Sequence, residues 1–201
     1  MHSSWRGWLG AMAVAATVGI AALLTNITTW EQLSGRANGM LAARFTLSAL
    51  LNSGTVWAAL PVLAGWLVRS RWQSVLAGIL AAEVALTVHY GCGVLLDVFT
   101  DTPVNSSVYA GNEYWFVIAA VACGPLGLVG ALARRSDVLG LFSRLVVPAG
   151  AMLEPFVKNS FRPNPILPWP TRFSETACGV MLLVSGLVMA VVVISRWRKD
   201  V

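Results

Sequence analysis

The chain has 201 residues, 57% of them hydrophobic and only 11% charged, and a mean hydropathy of +0.70. A soluble domain carries about 25% charged residues, so this chain lacks the charge to cover a water-facing surface. The net charge of +5 gathers at the ends of apolar runs, where it reads as orientation and headgroup anchoring rather than as a nucleic-acid surface.

Six apolar segments follow in chain order: 8–24, 45–68, 74–96, 115–133, 138–157 and 176–195. Each has the length that a helix needs to cross roughly 30 Å of hydrocarbon. Helices are required because backbone groups in lipid must bond within their own segment. The expected fold is all-α, a single transmembrane domain over 1–201 with about six transmembrane helices. Arg6 and the apolar run after it could open a signal peptide, but the run is long for one and no convincing small-x-small site follows, so an uncleaved first span is expected. The fifth segment contains Arg144, Pro148 and Glu154, and a re-entrant helix is the alternative there.

Basic residues set the expected orientation. With the N-terminus inside, the inner side holds Arg6, Arg69, Arg71, Arg134, Arg135, Arg196, Arg198 and Lys199. Arg36, Arg44, Lys158, Arg162 and Arg172 fall outside, and the loop from Asp97 to Tyr114 is acidic with no Lys or Arg. Both termini are therefore expected in the cytoplasm. Arg outnumbers Lys twelve to two, a bias of GC-rich bacterial genomes, which points to a bacterial cytoplasmic membrane. The four prolines between Arg162 and Pro170 predict an extended, stiff connector. Trp5, Trp8, Trp30, Trp72, Trp115 and Trp197 flank the spans as interfacial belts do.

Ionisable groups inside spans are costly and are the first functional candidates. Glu83 and Arg144 fall at similar depths and are expected to meet as an ion pair. Helical spacing puts Glu83, Thr87 and Tyr90 on one face of the third segment, and Ser48, Asn52 and Thr55 on one face of the second. These faces predict a polar seam between neighbouring helices, either simple interhelical bonding or the wall of a cavity. His89 is a further candidate near a helix end. Gly124, Pro125 and Gly127 predict close helix approach and a kink. Cys92, Cys123 and Cys178 lie in or beside apolar runs without CxxC or Cys/His spacing, so no metal site or other cofactor is expected. No catalytic constellation is visible.

The run Leu51-Asn52-Ser53-Gly54-Thr55-Val56-Trp57, followed by Gly65-Trp66-Leu67-Val68-Arg69, resembles a bacterial family of small multi-pass membrane proteins catalogued only as a domain of unknown function. The Gly124-Pro125-Leu126-Gly127 stretch and the region around Tyr90 look similar too. The resemblance covers the chain from the second span onward and implies a membrane fold without implying an activity. At the level of length and topology, the chain is also similar to the six-span substrate-binding subunits of energy-coupled vitamin importers. Three roles remain open from the sequence: a membrane-embedded binding or transport component for a small solute, lipid or ion; a scaffold assembling with other membrane proteins or with itself; and an enzyme on lipid-linked substrates, with His89, Asp97, Asp101 or Glu113 at the outer rim.

Overall fold

Apolar runs of this length fold as helices because lipid offers no partner for a free amide or carbonyl. The computed structural model describes residues 2–68, 70–99 and 111–200. It contains α1 (His2–Asn26), α2 (Trp30–Leu33), α3 (Asn38–Leu51), α4 (Gly54–Leu67), α5 (Arg71–Phe99), α6 (Tyr114–Leu132), α7 (Val138–Val157) and α8 (Trp169–Asp200). No strand occurs among the described residues. Helices α1, α5, α6, α7 and α8 are each long and apolar enough to span a membrane. Helices α3 and α4 pass that test together and are bent by 44° at their break. The protein is an all-α, membrane-embedded bundle.

The break corrects the expectation of one continuous second span over 45–68. Asn52 ends α3, and Ser53 adopts an extended ψ of 145° and caps α4, its hydroxyl accepting from the Val56 amide. Small polar side chains at such a position satisfy amides that a helix start leaves free. The proline-rich connector is also shorter than expected. Trp169 and Pro170 already belong to α8, because proline in a first helical turn gives up an amide that has no intrahelical acceptor anyway. The helix that carries the sixth apolar segment accordingly begins at Trp169. The fifth segment forms one helix across Val138–Val157 despite Pro148 and Pro155.

Packing is closest where glycines from three helices meet. A methyl group on Gly65 of α4 would overlap the Gly127 carbonyl of α6. One on Gly130 would overlap the Val62 carbonyl, and one on Gly127 would overlap the Ser74 carbonyl at the start of α5. Helices α4, α5 and α6 thus touch backbone to backbone, the packing by which small residues let helices associate in lipid. An alanine-rich cluster extends this centre toward α1 through Ala11, Ala15, Ala64, Ala77, Ala81 and Ala85. Helix α6 continues through Pro125, and the Gly-Pro stretch serves close approach to α5.

The end of the bundle where α4 turns into α5 and α6 into α7 is locked by polar groups. The Ser74 hydroxyl lies 2.8, 3.1 and 2.9 Å from the carbonyls of Gly65, Val68 and Ser70. The Arg134 guanidinium donates to the carbonyls of Trp66 and Val68. Asp137 caps α7 by accepting from the Gly140 amide at 3.1 Å, and it pairs with Arg135, whose Nε lies 2.9 Å from Oδ2. The Arg135 hydrogen bond, followed by the Gly140 amide, lowers the Asp137 carboxyl from 3.8 to about 2. A carboxyl lowered on folding contributes stability above its unfolded value and loses it as pH falls through its folded value. We therefore expect the contribution of this cap to persist at pH 4 and to vanish near pH 2. Comparing melting midpoints of the wild type and Asp137→Asn across that range checks it, since the two curves should converge only at the acid end.

Candidate ligand-binding cleft

Opposite the locked end, α4, α5 and α6 diverge around a cleft of about 570 Å³, inside the roughly 300–1,000 Å³ typical of small-molecule sites. Helix α4 supplies Gly54, Trp57 and Ala58 to its wall, and α5 supplies Ala82, Leu86, His89 and Tyr90. Helix α6 contributes Trp115, Ile118, Ala119, Ala122, Cys123 and Leu126. Asn52 from the α3–α4 break and Lys158 from the end of α7 complete the lining. Alanines at the contacting positions leave the space, while Trp57, Trp115 and Tyr90 give it broad aromatic faces. The polar groups are few: Asn52, His89, Tyr90 and Lys158. This is the composition of a site that takes an apolar body and orients a polar end.

Local packing fixes these side chains. The His89 ring stands edge-on to Tyr90 at 5.0 Å, and its Nδ1 lies 3.4 Å from the Gly19 carbonyl of α1. Tyr90 in turn lies 6.1 Å from the Phe116 ring of α6. Asn52 donates to the Ser48 carbonyl at 2.9 Å and reaches Asn26 Oδ1 at 3.4 Å, while Ser48 donates to that same oxygen at 2.6 Å.

A carboxylate that the sequence did not single out as a site holds the mouth of the cleft. Glu154 of α7 accepts from the Gly54 amide at 2.9 Å, the Thr55 amide at 2.8 Å and the Thr55 hydroxyl at 2.6 Å. Lys158, one helical turn on, pairs with it at 2.6 Å. The carboxylate thus caps the start of α4, where free amides and the helix dipole favour negative charge. The sequence signal was the Glu154/Lys158 spacing of i, i+4.

The structure separates the expected Glu83–Arg144 pair. Arg144 donates from Nε to the Ala133 carbonyl at 2.7 Å and from a terminal nitrogen to the Arg135 carbonyl at 2.8 Å. It closes the C-terminus of α6, where carbonyls lack helical donors and a cation is favoured. Arg144→Met should therefore cost about 1–2 kcal/mol, read as a lower midpoint in chemical unfolding, whereas Glu83→Gln should leave that midpoint near the wild-type value. Among the described residues Glu83 makes neither a hydrogen bond nor an ion pair, and Thr87 faces outward. The two expected polar faces are both divided. Tyr90 turns into the cleft while Thr87 does not. Ser48 and Asn52 bond to Asn26, while Thr55, beyond the break, bonds to Glu154. Asn52, His89 and Tyr90 do line one cavity. Glu113 accepts from the Gly111 amide at 2.9 Å, and Asp101 lies outside the described residues.

Comparison with protein-family models, with curated proteins and with solved structures finds no match to this chain.

Proposed function

We propose that the protein is a membrane-embedded binding or transport component whose ligand is a small amphipathic molecule or a lipid held in the cleft between α4, α5 and α6. The observation that carries this reading is the cleft itself, lined mostly by apolar and aromatic side chains with Asn52, His89, Tyr90 and Lys158 as its few polar groups. A fully closed bundle would have favoured a pure scaffold. We place the end bearing Arg71, Arg134, Arg135 and the basic C-terminal residues toward the cytoplasm, following the excess of basic residues there, so the cleft faces the outer leaflet.

Filling the cleft tests the reading. Ala122→Trp introduces an indole where Ala122 now lines open space. Wild-type protein purified in nanodiscs is expected to release a defined set of small molecules or lipids in native mass spectrometry. The variant should retain about tenfold less of them, at an unchanged melting midpoint. Equal retention by both proteins, or a wild type that carries nothing and shows no change in tryptophan emission on lipid titration, overturns it.

A further inference from the structure

Glu83 lies near the middle of the 29-residue α5, on the flank of that helix just beyond the cleft lining and within electrostatic reach of Cys123 of α6. Helices α1, α4 and α6 cover the other sides of α5. Its Val75 and Ile79 side meets Gly124 of α6, and its Ala85 and His89 side meets Gly19 of α1. Between them runs a stripe of Leu76, Leu80, Glu83, Thr87 and Val94, half-buried at Glu83 and exposed elsewhere. Their spacing, i, i+4, i+7, i+11 and i+18, keeps them on one side of the helix. Apolar residues there would suit lipid, but a carboxyl and a hydroxyl at that depth are costly without partners. Gly91, beside the stripe, borders open space: a methyl group on its Cα would meet no neighbouring atom within 4 Å. Nothing in this chain's own packing requires a glycine there, whereas close approach of another helix would.

A second copy of the chain is poorly suited to supply the missing partner. Three cations in or bordering its spans are engaged at home. Arg44 donates its terminal nitrogens to the Thr25 carbonyl and the Thr28 hydroxyl, Arg144 closes α6, and Lys158 holds Glu154. We propose that the stripe docks a transmembrane helix of a different membrane protein, one that carries Lys or Arg at the depth of Glu83. The incoming cation pairs with the Glu83 carboxylate and donates a further hydrogen bond to the Thr87 hydroxyl, and Gly91 lets the two backbones approach.

The test uses the full chain in phosphatidylcholine nanodiscs and two synthetic helices of leucine and alanine, identical except for a central Lys or Leu. Resonance energy transfer from the labelled helix to a dye on the protein's C-terminus reads association. The Lys helix is expected to bind about tenfold more tightly than the Leu helix. Glu83→Gln should remove that preference. Gly91→Leu, a substitution into open space, should weaken the Lys helix without lowering the melting midpoint. Equal binding of both helices to the wild type overturns the proposal, as does a preference that survives in Glu83→Gln. Transfer between two labelled copies of the chain that Glu83→Gln abolishes also overturns it, by making a second copy the occupant.

Discussion

Glu154→Ala should lower the folding stability of the protein by about 3 kcal/mol, the upper end of what leaving hydrogen-bond donors without their acceptor costs. The side chain is 11% exposed and its two oxygens serve three donors at the start of α4 as well as Lys158. Deleting it leaves two backbone amides and a hydroxyl without their acceptor, and for the buried Thr55 this is the expensive way to lose a hydrogen bond. Lys158, 53% exposed, can turn to water, so Lys158→Met should cost under about 1 kcal/mol. Equilibrium unfolding in mixed detergent micelles ranks the two variants. If they prove equal, the carboxylate is not what holds the break. Because Asn52, Gly54 and Lys158 line the cleft, Glu154→Ala should also release its occupant.

The second large effect lies at the opposite end of the cleft helices. Gly130→Leu places a branched side chain where even a methyl overlaps the Val62 carbonyl and crowds the Trp66 amide. Overpacking of this kind costs about 1–3 kcal/mol in cores that can adjust, and here the obstacle is backbone, which cannot rotate away. We expect at least about 3 kcal/mol or loss of the monodisperse folded species in size-exclusion chromatography. Gly91→Leu is the matched control. Its site is open, and replacing glycine inside a helix should be neutral or mildly stabilising, by up to about 1 kcal/mol.

The spans were legible in the sequence because hydrophobic length is a one-dimensional property that the bilayer reads directly. The contacts between spans were not, because depth along a helix says nothing about which way a side chain points around it. Glu83 and Arg144 match in depth and still face different surroundings. Arg144 also lies within reach of the preceding helix end, and a long guanidinium side chain turns toward the nearest free carbonyls. The break at Ser53 did have a local signature, Asn-Ser-Gly-Thr before an apolar run, which reads as a helix start; the surrounding hydrophobicity masked it. Glu154 escaped notice as a site residue because its partners are 99 and 100 residues away. Asn52, His89 and Tyr90 were legible as polar or titratable groups near one end of their helices, and the cavity that unites them required three helices to be placed.

That separation in the chain has a consequence for biosynthesis. Domains assemble from the N-terminus as the ribosome delivers them, and α4 emerges long before α7. Until α7 arrives, the amides of Gly54 and Thr55 have no carboxylate to bond, and the start of α4 must be satisfied by water or headgroups at the membrane surface. The bend between α3 and α4 is therefore completed late, when the insertion machinery releases the fifth spanning element beside it. A nascent chain arrested after Arg135 would hold the glycine-packed trio of α4, α5 and α6 with the mouth of the cleft still unfastened.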